Sequence, residues 1–119
     1  MANILIADDA LFMRMMLKKV LTSGGHTVIG EAENGRRAIE LYASLHPDLV
    51  VMDITMPDVD GLQALVEITR ADPDAHIIMC TALGQQDKVR LALTSGARDY
   101  VVKPFDANKL LDTVKRVLA

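Results

Sequence analysis

The stretch Leu49-Val50-Val51-Met52-Asp53 is a continuous apolar run that ends on a carboxylate. A short run without alternation is typical of a strand that is covered on both faces, as in a parallel sheet. Further strand candidates, some with polar residues at their ends, occur at residues 3–7, 26–31, 76–81 and 98–103. Together the five runs predict the strands of one sheet.

The segments between these runs carry apolar residues at helical spacing. Helices are predicted over residues 10–23, 36–45, 62–71 and 86–95, and a last one begins at Asp106. Glycine and proline residues lie in the breaks between the segments. This alternation predicts an α/β fold, a doubly wound, five-stranded parallel sheet with five helices on its two faces.

The composition is that of one globular domain, with 119 residues, 50% of them hydrophobic and 24% charged. A net charge of -3 without a basic stripe argues against nucleic-acid binding. The one cysteine, Cys80, fits a reducing compartment, and no signal peptide or membrane span is evident. We therefore expect a single cytoplasmic domain over residues 1–119, with no output domain and no membrane contact.

Polar side chains follow the ends of four predicted strands. Asp8 and Asp9 follow the first strand, while Asp53, Thr81 and Lys103 end the third, fourth and fifth. Open parallel sheets bind ligands outside the carboxyl ends of their strands, so these side chains are expected at one edge. Clustered carboxylates repel one another unless a cation intervenes, and Mg²⁺ prefers oxygen ligands. A carboxylate can also attack phosphorus, with a lysine and a hydroxyl meeting the phosphoryl oxygens.

Each of these residues also has a purely structural interpretation. Asp8 and Asp9 can cap the first helix, and Asp53 can cap a turn. A threonine at a strand end is common, and an isolated lysine is usually solvated. The functional interpretation therefore depends on all five residues meeting at one edge of the sheet.

Three methionines, Met13, Met15 and Met16, crowd the first predicted helix. Core packing is the favoured interpretation, and an adaptable docking surface is the alternative. The three histidines lack metal-ligand spacing and are interpreted as structural or exposed.

Four motifs mark a resemblance that covers essentially the whole chain. They are the pair Asp8-Asp9, the segment MDITMPDVDG around Asp53, the pair Thr81-Ala82 and the run VKPF from Val102 to Phe105. With these motifs the chain resembles the receiver domains of bacterial two-component systems. The resemblance implies a flavodoxin-like fold with strand order 2-1-3-4-5.

The resemblance also implies a role for each motif residue. Asp53 is implied as the phosphoacceptor. The implied Mg²⁺ ligands are Asp8, Asp9, Asp53 and the backbone carbonyl of Thr55. The other implied roles are phosphate contacts for Lys103 and Thr81, switch positions for Thr81 and Tyr100, and a cis bond before Pro104. Such a protein is not a conventional enzyme, since it catalyses only its own phosphorylation and dephosphorylation.

The partners implied by the resemblance are proteins. A histidine kinase donates the phosphoryl group, a flagellar motor switch protein or another downstream protein receives the signal, and a phosphatase ends it. The strings FMRMML and TALGQQ are similar to those of chemotaxis regulators within the family. A receiver of a phosphorelay, for example of a sporulation relay, is the alternative.

Two functions outside this family are alternatives for a sheet of this kind. A phosphatase of the haloacid dehalogenase type also uses an aspartate, Mg²⁺, a threonine and a lysine, but its nucleophile follows the first strand in a D-x-D pattern. A flavodoxin-like cofactor binder needs a hydroxyl- and glycine-rich phosphate loop after the first strand. Here Asp8 and Asp9 stand in that place, and they would repel a phosphate unless a metal intervened.

Overall fold

A computed structural model describes residues 1–119 and confirms the alternation of strands and helices. The strands are β1 (Asn3–Ala7), β2 (Thr27–Ala32), β3 (Leu49–Asp53), β4 (Ile77–Ala82) and β5 (Asp99–Lys103). The helices are α1 (Leu11–Ser23), α2 (Gly35–Leu45), α3 (Gly61–Ala71), α4 (Gln86–Thr94) and α5 (Ala107–Leu118). The predicted bounds therefore hold to within about one residue.

All five strands are parallel and lie in the order β2-β1-β3-β4-β5. The predicted doubly wound fold and its strand order are thus confirmed. The strand order switches between β1 and β3, which is where such sheets bind ligands. In the register of the sheet Asp53 pairs with Cys80, and Ala82 pairs with Lys103, so the ends of β3, β4 and β5 share one edge.

The core lies on both faces of the sheet, because successive strand residues point in opposite directions. Val50 and Met52 belong to a cluster of 17 buried residues on one face. Val51 belongs to a cluster of 12 on the other face, together with Cys80. Burial raises the pKa of the Cys80 thiol to about 12, so this cysteine serves as a small core residue and not as a nucleophile.

Helix α1 divides its apolar side chains between core and solvent. Leu17 and Leu21 are buried, and Met13 packs partly against the core. Met15 and Met16 are 60% and 39% exposed, so the core-packing prediction is wrong for these two. The physical reason is that positions 13, 17 and 21 already form the inward stripe at a spacing of four residues.

Several helices begin at a side chain that accepts backbone hydrogen bonds. Asp60 and Gln63 form a reciprocal capping box at the start of α3. Asn34 and Asp106 cap α2 and α5. Within the described chain, no helix combines the length and apolar content that crossing a membrane requires.

Candidate functional site

Three carboxylates gather where the strand order switches. Asp8 and Asp9 follow β1, and Asp53 is the last residue of β3, the neighbouring parallel strand. One carboxylate oxygen of each residue lies within 4.8 Å of the others. Asp8 is buried and Asp9 is exposed, so the cluster reaches from the interior to the surface. Three acids at this spacing form a candidate site for a divalent cation.

Lys103 joins the cluster from the end of β5. Its Nζ donates to Oδ2 of Asp8 at 2.8 Å and to Oδ2 of Asp53 at 3.0 Å. Burial alone lowers the pKa of Lys103, but the hydrogen bonds and charges of Asp8 and Asp53 outweigh it, so the pKa is raised. The lysine is therefore charged at neutral pH.

Asp8 is held in place by contacts other than helix capping. Its Oδ1 accepts a hydrogen bond from the Ala10 N–H at 2.9 Å, and its backbone oxygen accepts one from Nη1 of Arg14 at 2.7 Å. Helix α1 begins after Ala10 without any side-chain cap. The capping alternative for Asp8 and Asp9 is therefore wrong.

Asp53 combines a local turn contact with a place in the cluster. Its Oδ1 accepts a hydrogen bond from the Thr55 N–H at 3.3 Å. Asp53 therefore caps a turn and also belongs to the carboxylate cluster. Its side chain is 13% exposed. Burial raises the pKa of Asp53 above its ordinary range, Lys103 opposes this shift, and the nearby charge of Asp8 adds to it. A further cation beside Asp53 would relieve the remaining repulsion between the carboxylates.

Gly61, the first residue of α3, packs directly against the backbone of Asp53. The Gly61 N–H donates to the backbone oxygen of Ile54 at 2.8 Å. A Cβ at position 61 would collide with the backbone oxygen of Asp53 and approach Ile54 Cα to 2.8 Å. In the sequence Gly61 only marks a break between two elements. The structure identifies it as the residue whose lack of a side chain lets α3 approach the site.

Thr81 lies at the same edge but makes other contacts. Its side chain is buried, and Oγ1 donates to Oε1 of Gln85 at 2.9 Å and to the backbone oxygen of Ala82 at 3.1 Å. Its hydroxyl makes no hydrogen bond to Asp53 or Lys103. Sequence reasoning passed over Gln85, whose only signal was its place in the TALGQQ string.

Tyr100 is 40% exposed on β5 and is not a core residue. Together with Thr81 and Val89 it lines a surface cavity of about 340 Å³ between β5 and α4. The Lys103-Pro104 peptide bond, at the end of the same strand, is cis.

Comparisons with known proteins agree with this geometry. The family model described as the response regulator receiver domain matches residues 4–115. Chemotaxis protein CheY of Thermotoga maritima is 51% identical over 115 residues, which cover 97% of this chain and 96% of that protein. Chemotaxis protein CheY of Bacillus subtilis is 53% identical over 116 residues, which cover 98% and 97%.

A solved structure gives the same result. The CheX–CheY–BeF3–Mg²⁺ complex from Borrelia burgdorferi superposes with a TM-score of 0.94 at 38% identity, covering 98% of this chain and 89% of that chain. The phosphatase and the flavodoxin-like cofactor binder are not favoured by these matches. With the receiver model spanning nearly all of the sheet and its acidic edge, the chain belongs to the response regulator receiver family.

Proposed function

We propose that this chain is a chemotaxis response regulator in which Asp53 accepts a phosphoryl group and a changed surface binds another protein. The observation that carries the proposal is Lys103 bonded to both Asp8 and Asp53 at the edge where Asp9 also lies. The extensive identity to two CheY proteins supports chemotaxis over another phosphorelay. Because the chain covers 96% and 97% of those relatives, we also propose action as a single domain.

The donor set at this edge fits Mg²⁺. Three carboxylates face one ammonium, so negative charge remains when all groups are ionised. The proposed ligands are Asp8, Asp9, Asp53 and the backbone carbonyl of Thr55. That carbonyl accepts no hydrogen bond from another residue, which leaves it free to serve as a ligand. When bound, Mg²⁺ supplies neutralisation of charge on carboxylate and phosphoryl oxygens.

Phosphoryl transfer follows from the chemistry of Asp53. A carboxylate oxygen of Asp53 bonds to the phosphorus of a phosphohistidine on the kinase. The phosphorus–nitrogen bond breaks, and its electron pair stays on the imidazole nitrogen, which takes up a proton. Lys103 contacts a phosphoryl oxygen with the ammonium that it now holds against the two carboxylates. The protein's part is mainly positioning and charge stabilisation, as expected for this class of reaction.

Hydrogen bonds to the new phosphoryl group can also drive the switch. The Thr81 hydroxyl turns toward the phosphoryl group, and the Tyr100 ring moves into the cavity that both residues line. Moving a two-state element from 1:99 to 99:1 takes about 5.5 kcal/mol. Two or three charge-assisted hydrogen bonds at about 1.5–3 kcal/mol each supply about 3–9 kcal/mol, a range that includes this requirement. The face made by α4, β5 and α5 then presents a new surface to a flagellar motor switch protein, and a phosphatase resets it.

Mass spectrometry after incubation with acetyl phosphate, with and without Mg²⁺, tests the proposal. We expect wild type to gain one phosphoryl group only with Mg²⁺, and Asp53→Asn to gain none. Asp74→Asn, an exposed acid outside the cluster, is the matched control and is expected to behave as wild type. Modification of Asp53→Asn at the wild-type rate would contradict the proposal.

A further inference from the structure

We propose that Gln85 is a positioning residue that holds the Thr81 hydroxyl in its resting orientation and thereby sets the threshold of the switch. The inference rests on the proposed function, because it concerns how readily Thr81 changes partner when Asp53 is modified. Neither the acidic cluster nor the sequence motifs assign any role to Gln85. Its side chain is half-buried at the start of α4.

The first observation is that one oxygen of Gln85 accepts two hydrogen bonds. Oε1 accepts from Oγ1 of Thr81 at 2.9 Å and from the N–H of Ala82 at 2.9 Å. The carboxamide therefore closes the turn after β4 and aims its acceptor at the hydroxyl. Thr81 is 2% exposed, so water is a poor substitute for this partner, and the other acceptor in reach is the backbone oxygen of Ala82 at 3.1 Å.

The second observation is that the nitrogen of Gln85 reaches across to the other side of the site. Nε2 donates to Oγ1 of Thr55 at 3.2 Å. Thr55 lies two residues after Asp53, and its N–H already bonds to Oδ1 of that aspartate. One carboxamide thus links the loop after β4 to the loop after β3, and both loops flank the proposed phosphoryl position.

Helix capping does not account for this arrangement. Gln85 occupies the N-cap position of α4, yet its side chain makes no capping hydrogen bond. A capping side chain would accept from an N–H one turn ahead in the helix, whereas Gln85 turns back toward β4. The neighbouring Gln86 is exposed and makes no side-chain hydrogen bond, so the arrangement is specific to position 85.

The Thr81 hydroxyl cannot fully serve its resting acceptors and a phosphoryl oxygen at the same time. A threonine hydroxyl carries one proton, which Thr81 shares between Gln85 Oε1 at 2.9 Å and the backbone oxygen of Ala82 at 3.1 Å, so a full hydrogen bond to a phosphoryl oxygen requires it to give up both acceptors, of which Gln85 is the nearer. Removing the Gln85 carboxamide takes the Thr81 bond from the resting arrangement only, whereas its bonds to the Ala82 N–H and to Thr55 do not use the Thr81 proton and are lost from both arrangements alike. Because one neutral hydrogen bond contributes only modestly to the free energy, we expect the equilibrium between the resting and activated states to shift toward the activated state by about three- to fivefold.

Beryllium fluoride with Mg²⁺, a phosphoryl mimic, provides the test on the full chain. The chain has two tyrosines, so labelling with 3-fluorotyrosine gives two ¹⁹F resonances, which Tyr100→Phe assigns. Tyr42 is buried and serves as an internal reference. We expect the Tyr100 shift in Gln85→Ala to reach half-maximum at about three- to fivefold less beryllium fluoride than in wild type. Gln86→Ala is expected to match wild type.

A second background separates this role from a general loosening of the loop. Thr81→Val removes the hydroxyl, so adding Gln85→Ala to it is expected to leave the midpoint where Thr81→Val alone puts it. An unchanged midpoint in Gln85→Ala, or the same shift of the midpoint in both backgrounds, overturns the inference about Gln85. As long as the wild-type chain shows the transition, the proposed function is unaffected by that result. A wild-type chain with no transition at all overturns both.

Discussion

The ammonium of Lys103 lies 3.0 Å from Oδ2 of Asp53, although 50 residues separate the two in sequence. The same ammonium lies 2.8 Å from Asp8, whose side chain is 2% exposed. The proposed phosphoryl acceptor, Asp53, is therefore in contact with the Lys103 ammonium before any transfer takes place. The same ammonium would pair with the charge of the new phosphoryl group.

Replacing this lysine should separate acceptance of the phosphoryl group from its transmission. In Lys103→Ala, Asp53 and the other acids remain, so modification by acetyl phosphate continues. The ¹⁹F shift of Tyr100 under beryllium fluoride is expected to need at least about tenfold more of the mimic, since a charge-assisted hydrogen bond of about 1.5–3 kcal/mol is lost. Lys109→Ala, an exposed lysine on α5, is the control. A Lys103→Ala chain that matched wild type in this titration would remove Lys103 from the switch.

Asp9 offers a way to weaken the cation site without disturbing the ion pairs. It is exposed and takes no part in the contacts of Lys103, which go to Asp8 and Asp53. In Asp9→Asn we expect Mg²⁺ affinity, measured by calorimetry, to fall about tenfold or more, because one charged oxygen ligand is lost. The free energy of unfolding should stay within about 0.5 kcal/mol of wild type, as for other surface substitutions. Undiminished Mg²⁺ affinity would exclude Asp9 as a ligand.

Gly61 links the stability of the fold to the geometry of the site. A methyl group at this position collides with the backbone of Asp53, so Gly61→Ala is expected to cost about 2–3 kcal/mol and to slow phosphorylation. Gly25→Ala is a matched contrast, because its φ of +88° strains alanine but its nearest contacts are the flexible side chain of Met1. That variant should lose about 1 kcal/mol and keep the wild-type rate. Urea unfolding and the phosphorylation rate together distinguish the two, and an equal rate in both variants would refute this account of Gly61.

His26 should make stability depend on pH. Burial, and then the positive N-terminus, lower its pKa below the ordinary value of 6.5. The unfolded chain therefore binds this proton more readily than the folded chain. The contribution is fully present above pH 6.5 and is lost as the pH falls from there through the folded-state pKa.

Protonation would also end the hydrogen bond that Nδ1 accepts from the Ala2 N–H at 3.2 Å. We expect urea midpoints of wild type to fall more steeply than those of His26→Gln as the pH is lowered from about 7.5 to about 5.5. Parallel curves for the two chains would show that His26 does not titrate differently on folding.

Much of the fold was predictable because each strand contains a short apolar stretch that helical segments separate from the next. Leu49 to Met52 are buried, as the continuous apolar run predicts. The meeting of the polar strand-end residues at one edge follows from the parallel arrangement of the strands. Which strands are neighbours did not follow from periodicity and came from the resemblance. Strand order depends on how the helices pack, and no single run of residues records it.

The parts that were not predictable concern the orientation of side chains. Met15 and Met16 face solvent because the rotation of α1 about its axis is set by Leu17 and Leu21, which fill the inward positions. Gln85 turns back toward Thr81 although its position in the chain marks it as a helix start. Such choices depend on partners from other elements, which sequence spacing alone does not name.

Asp8 and Lys103 are 95 residues apart in the chain yet bonded to each other, with Asp53 between them in sequence and beside both in space. A nascent chain that has emerged only through β4 already carries the acids but lacks their cation. The ion pairs of the site therefore form last in synthesis, when the final strand adds its lysine. The proposed switch, which needs this lysine, therefore requires β5 to be in place beside β4.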